Sequence, residues 1–203
     1  MNQEKAVWQL KEIEKLVGGG GMRLAAEWTE KWKILISTIL SAQTKDETTI
    51  AISEILYKKY NSAEKLGSAS LRDIEKIIRP VNYYKTKARH IKATAGIISK
   101  KGIPRDIDGL LGLAGVGRKV GNVYLAVAHN ADVIGVDTHV ARISRKMGWT
   151  LRRQDEKHKI EKDLEKLFPK EYWRSLNYIL VRFGRMFGRS RKREDEILET
   201  LIK

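Results

Sequence analysis

The residues best able to do chemistry lie close together: Gly115-Val-Gly117, then Arg118 and Lys119, with Asp137 eighteen residues beyond the lysine. A Gly-x-Gly pair supplies the positive-φ conformations and bare backbone that a tight turn needs. Leu110 to Asn122 reads as the end of one helix, that turn, and the start of a second. Amides at a helix start have no intrahelical partner and sit at the positive end of the helix dipole, so they favour a phosphate. Lys119 would then stand beside bound nucleic acid, with Asp137 as its charge partner. Each residue also has a plainer reading. Gly-x-Gly turns join many helix pairs, a lysine at a helix start is usually solvated, and Asp137 before Thr138 is placed to cap a helix. Only the combination, on a basic chain, points to a site.

That chain is strongly basic. Forty Lys and Arg against 25 Asp and Glu leave a net charge of +15 over 203 residues, more than solubility requires. Such an excess favours a polyanionic partner, nucleic acid before membrane, because no long basic amphipathic segment with exposed aromatics accompanies it. A spanning segment or export signal is not expected either, since no apolar run approaches the length a bilayer needs. The expected location is therefore cytoplasmic, nucleoid-associated in a prokaryote. Cysteine is absent, which removes thiolate chemistry, disulfides and Cys-ligated zinc or iron–sulfur sites. The histidines (His90, His129, His139, His158) lack metal-type spacing, so no metal held by side chains is expected.

The elements that must position these residues are helices. Apolar residues at helical spacing mark residues 4–17, a strongly apolar helix around Trp32 to Leu40, and one over about 47–60 that Asp46 is placed to cap. Gly18 to Gly21 read as a linker or a ligand-touching loop between the first two. Ser70 and Asp73 resemble a capping box for a helix stopped by Pro80. Val81 to Ala88 makes a loop and opens a helix to about Lys100. Asp106 to Leu113 and Val120 to Ala128 are the arms of the hairpin, and 132–136 an extended connector. Helices over about 138–147, 154–167, 170–187 and from 194 complete the chain. No alternating run long enough for a sheet appears, so the fold is all-α.

Leu113-Ala-Gly-Val-Gly-Arg-Lys-Val-Gly-Asn122 and Val136-Asp-Thr-His-Val-Ala-Arg142 resemble the helix-hairpin-helix and loop-plus-aspartate signature of DNA glycosylases, the endonuclease III branch above all. Ile39-Leu-Ser-Ala-Gln43 is similar to that branch's Leu-Leu-Ser-Ala-Gln stretch, and Tyr84-Lys-Thr-Lys-Ala88 to its Tyr-Asn-Ser-Lys-Ala stretch. The likeness runs from about residue 25 to 187. It implies two helical lobes with DNA across the cleft between them: a six-helix lobe of residues 23–134 containing the hairpin, and a second of residues 1–22 plus 135–203 carrying the aspartate. The partner implied is duplex DNA holding a damaged base or abasic site, met by a monomer.

The resemblance also assigns roles. The damaged nucleotide is turned out of the stack, because its glycosidic bond is unreachable within it. Lys119 would attack the sugar C1′ and form a Schiff base, with β-elimination nicking the strand; its amine must be neutral at attack. Arg118 would help by proximity, and Asp137 would stabilise positive charge developing on the sugar. Gly115, Val116 and Gly117 would offer amides to a phosphate, a contact that positions DNA without reading sequence, and in the family a monovalent cation completes the hairpin backbone. Gln43 would fill the gap left by the extruded nucleotide, against the plainer reading of a polar helix end. Tyr83 or Tyr84 would wedge into the stack, against plain helix packing. His139 is expected to support rather than to catalyse.

Two departures from the family pattern stand out. Leu113-Ala-Gly replaces the usual Leu-Pro-Gly. Where most relatives place the first cysteine of a [4Fe–4S] cluster, this chain reads Gly184-Arg-Met-Phe-Gly188, so no cluster and no other cofactor is expected. Packing of Ile179, Leu180, Phe183 and Phe187 on a final helix at Ile197, Leu198 and Leu201 would take the cluster's architectural part. Arg182 to Arg193 carries six cations (182, 185, 189, 191, 192 and 193) and no acid. Of these, Arg185, Arg189, Arg191 and Lys192 are expected to contact phosphates. Oxidised pyrimidines are the implied substrate class. Removal of 8-oxoguanine or of mismatched thymine or uracil on the same scaffold, and a non-catalytic helix-hairpin-helix module, are the alternatives.

Overall fold

The computed structural model describes residues 1–18, 22–188 and 190–202. Twelve helices are found among them, with no strand. They divide into two compact units, Arg23–Asn130 and Met1–Met22 with Ala131–Lys203. The reading of Gly18 to Gly21 falls largely outside the described residues; Gly18 itself ends the first helix at φ 57. No helix among the described residues is long and apolar enough to cross a membrane.

The unit of residues 23–130 holds α2 (Lys31–Ser41), α3 (Asp46–Lys59), α4 (Ala63–Ser68), α5 (Leu71–Ile78), α6 (Tyr84–Lys101), α7 (Ile107–Leu111) and α8 (Arg118–His129). Helix α2 is its axis. Every residue from Ile34 to Leu40 is buried, as a helix apolar all round must be, and Ser37 and Thr38 satisfy their hydroxyls on the Ile34 carbonyl. Asp46 is the first residue of α3 rather than its cap, which falls to Lys45. The Ser70–Asp73 capping box does not form: the Ser70 side chain makes no capping bond, and its carbonyl receives the Asp73 amide.

Helix α4 has no counterpart in the periodicity. Its six residues bury only Leu66, too little for a pattern; the Ser62 hydroxyl caps it, and packing on α6 holds it. There the two backbones nearly touch, since a Cβ on Gly67 would lie 2.6 Å from the Gly96 amide nitrogen. The arms of the hairpin meet the same way. A Cβ on Gly121 would lie 2.6 Å from Ile107 Cδ1, so α8 packs on α7 through a bare glycine.

The other unit holds α1 (Gln3–Val17), α9 (Thr138–Lys146), α10 (Lys157–Leu167), α11 (Lys170–Met186) and α12 (Arg191–Ile202). Ala6, Leu10, Ile13 and Val17 of α1 share a core with Val140 and Ile143 of α9, Ile179, Leu180 and Phe183 of α11, and Leu198 and Leu201 of α12. Phe187 and Ile197 pack at its edge. Ile134 and Val136 of the extended connector are buried here too, which fixes the entry to α9.

Candidate active site

The hairpin turn is shaped by two glycines with different work. Gly115 has φ +79, a conformation that suits glycine, and a Cβ there would lie 2.9 Å from the His90 side chain. Gly117 has φ −89 and ψ 173, extended backbone open to any residue, so the expected positive φ at this position is corrected. Its bareness matters instead: a Cβ on Gly117 would meet nothing within 4 Å, leaving the first turn of α8 open to a ligand. The Val116 amide donates to the Leu113 carbonyl at 3.1 Å, and its side chain is buried, so Val116 braces the turn rather than offering its N–H. Among the described residues the Gly115 and Gly117 amides make no hydrogen bond, and the N-cap of α8 is Gly117, which has no side chain to cap with. Two N–H groups are thus left for a phosphate.

Arg118 and Lys119 open α8, both half-buried. The turn ahead of them is held from α6, where the Thr94 hydroxyl donates to the Ala114 carbonyl at 2.8 Å and His90 covers Gly115. Neither residue was legible as a partner of the hairpin, because the packing of α6 on the turn is tertiary. The Leu113 and Ala114 carbonyls, which could face a monovalent cation, each already accept one hydrogen bond within the protein.

Asp137 lies in the other unit and caps α9. One carboxylate oxygen accepts from the Val140 amide at 2.9 Å. The second oxygen accepts no hydrogen bond among the described residues, so the group keeps an oxygen for chemistry while its backbone is fixed. The segment before it is pinned to α11 by Asn177, whose side-chain amide donates to the Gly135 carbonyl at 2.6 Å. His139 follows in the first turn of α9. Burial pulls its pKa below the ordinary range, Asp137 raises it, and Arg142 and Arg185 lower it, leaving it neutral near pH 7. Arg142 Nη2 lies 3.3 Å from His139 Nδ1. An arginine can only donate, so the imidazole proton belongs on Nε2. Gly184 is bare for this ring, since a Cβ there would lie 2.1 Å from His139 Nδ1.

Behind α9 sits an ion cluster that the sequence did not reveal. Glu194 of α12 is fully buried and takes Arg142 in a two-pronged grip (2.9 and 2.7 Å), with Lys146 at 2.8 Å. Burial raises the Glu194 carboxyl, and the hydrogen bonds from Arg142 and Lys146 outweigh it, leaving it at about 2. The residues here do not fit an iron–sulfur cluster. Such a cluster needs thiolates, none exists in the chain, and even a Cβ on Gly188 would lie 2.3 Å from the Gly184 carbonyl and 2.6 Å from Glu194.

The basic segment is not one surface. Arg182 is buried, stacked over the Tyr178 ring with its centre 4.9 Å away and hydrogen-bonded to the Tyr178 hydroxyl. Arg185 is half-buried, and Arg189 lies outside the described residues. Arg191, Lys192 and Arg193 are exposed on the first turn of α12. Cations at a helix N-terminus oppose the dipole, which disfavours a purely structural reason for three of them. Arg191 and Lys192 are offset within the helix by Glu194 (3.7 Å) and Glu196 (3.9 Å).

Gln43 and Tyr83 lie near one another in the unit of residues 23–130. Gln43 is exposed at φ 54, and Tyr83, 66% exposed, is the N-cap of α6 at φ 59. Both are left-handed conformations that cost a non-glycine residue about 1 kcal/mol or more and persist only when neighbours enforce them. Tyr84, the first residue of α6, is half-buried. Close by, Lys87 is buried, and burial pulls its ammonium down to about 8.

An all-α chain with a phosphate-ready helical hairpin and a separately capped aspartate defines a helix-hairpin-helix protein. The family model for HhH-GPD superfamily base excision DNA repair proteins matches residues 36–170, and the chain belongs to that superfamily. Endonuclease III of Thermotoga maritima is 37% identical over 160 residues, covering 77% of this chain and 74% of its own. Endonuclease III of Bacillus subtilis is 36% identical over 157 residues, covering 76% and 71%. A solved trapped endonuclease III–DNA covalent intermediate, in an estranged-adenine complex, has a TM-score of 0.85 at 31% identity, over 94% of this chain and 90% of that one. The protein is an endonuclease III-like DNA-binding enzyme of base excision repair, a DNA glycosylase and AP lyase.

Proposed function

We propose that this enzyme removes oxidised pyrimidines from duplex DNA as a monomer, without an iron–sulfur cluster, and that Lys119 is its nucleophile. The lone pair of the neutral Lys119 amine forms a bond to C1′ as the bond from C1′ to the base breaks, and the base leaves with that electron pair and takes up a proton. Opening of the sugar ring yields a Schiff base. Loss of a C2′ proton then expels the 3′ phosphate, and hydrolysis returns the amine. The Asp137 carboxylate, through the oxygen not used in its cap, stabilises positive charge developing on the sugar. Gly115 and Gly117 hold a phosphate, Arg118 and the exposed Arg191 and Lys192 add charge along the backbone, and Arg185 and Arg189 belong to the same basic segment. Gln43 fills the vacated position and Tyr83 stacks on the neighbouring base pair. Tyr84, half-buried at the start of α6, is less open to a base than the exposed Tyr83.

The observation that carries this reading is the placement of Lys119 directly beyond a helix start whose N-cap is glycine and whose Gly115 and Gly117 amides are open to a phosphate. Borohydride trapping tests it. The wild type should give a covalent adduct with an abasic duplex, and Lys119→Gln none. An undiminished adduct from Lys119→Gln moves the nucleophile to another amine. Trapping on duplexes carrying an oxidised pyrimidine, 8-oxoguanine, or a T:G or U:G mismatch tests the substrate class, with the oxidised pyrimidine expected to react fastest.

A further inference from the structure

Lys87 presents an unusual economy. It is 6% exposed, and no carboxylate among the described residues pairs with it. Its three ammonium protons go instead to the Leu40 carbonyl (2.7 Å), the Ala42 carbonyl (2.5 Å) and the Thr44 hydroxyl (3.1 Å). Burying a cation is costly, and a methionine would fill the same space without that cost. What the ammonium does that a thioether cannot is gather the carbonyls left open where α2 ends. Those acceptors flank Gln43 on both sides and hold its strained turn.

A second strap joins this turn to Tyr83. Asn82 donates from its side-chain amide to the Gln43 carbonyl (2.5 Å) and from its backbone to the Thr44 hydroxyl (3.2 Å), the same oxygen that Lys87 reaches. The next residue is Tyr83, whose carbonyl receives the Lys87 amide at 3.0 Å. Lys87 therefore touches the Gln43 turn with its side chain and the Tyr83 turn with its backbone.

We infer that Lys87, with Asn82, is a positioning residue that locks Gln43 and Tyr83 into one preformed wedge for duplex DNA. The inference rests on the reading of Gln43 and Tyr83 proposed above. Two exposed side chains in left-handed turns would otherwise have to be ordered at the moment of binding, at a cost in affinity. The wedge matters only where a stack must be opened, so a single strand has no need of it.

The test uses the full chain as wild type, Lys87→Met and Asn82→Ala, with a duplex holding a reduced abasic site opposite 2-aminopurine. The wild type should change the 2-aminopurine fluorescence on saturation, and each variant should lose about threefold or more of that amplitude, with the double variant losing little beyond either single one. In borohydride trapping, the ratio of the rate on an abasic duplex to that on an abasic single strand should fall about tenfold. Unchanged amplitudes overturn the inference, as does an equal loss on both substrates, which would mean general damage to the fold. Asn82 is exposed, so its variant keeps the test decisive should Lys87→Met fail to fold. A wild type that gives no adduct refutes the Lys119 reading alone, because the fluorescence arm needs no chemistry.

Discussion

Replacing Glu194 by glutamine tests whether the buried ion cluster does the structural work of the C-terminal region. The carboxyl is fully buried and stands at about 2, against an ordinary 4.5, under two cations. That displacement corresponds to about 3 kcal/mol of stability at pH 7, close to the roughly 3–5 kcal/mol lost when one partner of a buried pair is removed. The glutamine amide must also turn its NH2 toward Arg142 or Lys146, donor against donor. Urea unfolding of the full chain should show the variant about 3 kcal/mol less stable at pH 7, and its midpoint temperature should fall by about 6–12 °C. The pH dependence is the sharper signature. Because folding lowers this pKa, the wild-type advantage is complete above the unfolded value of 4.5 and is lost as pH falls toward 2. At pH 3 only about 1.4 kcal/mol should remain. A difference below about 1 kcal/mol at pH 7, or one that is the same at pH 3, would refute the reasoning.

Asp137→Asn separates capping from chemistry. Asparagine caps a helix about as well as aspartate, so stability should move by only a few tenths of a kcal/mol, while single-turnover base excision should fall by about a hundredfold or more; a loss of activity that merely follows a loss of stability would count against the catalytic role. Gly117→Ala should fold normally, since its φ suits alanine and the Cβ meets nothing, yet its methyl group would crowd an approaching phosphate and weaken affinity for an abasic duplex about tenfold. Reversing Arg191 and Lys192 to glutamate should flatten the dependence of log affinity on log salt by about two units if both meet phosphates. An unchanged slope would assign these residues to solvent.

The sequence by itself determined the fold class, the order of most helices and the family, because those signals are local. Apolar spacing marks α1, α2 and α8, Asp137 announces the helix it caps, and Leu113 to Asn122 and Val136 to Arg142 are contiguous motifs. The missing thiolates were equally legible. What only the tertiary structure decided is how those motifs are held. Helix α4 is too short to carry a period and exists through its contact with α6. Gly115 and Gly117 look alike in sequence, but His90 behind one and open space beyond the other give them different tasks. Six cations within one segment looked like one surface until Arg182 turned inward onto Tyr178. Lys87 and Glu194 read as ordinary charges of a Lys- and Glu-rich chain. Only their burial, against Leu40 and Thr44 in one case and Arg142 in the other, makes them structural: a charge costs or contributes free energy according to the partners that surround it, and those partners come from distant parts of the chain.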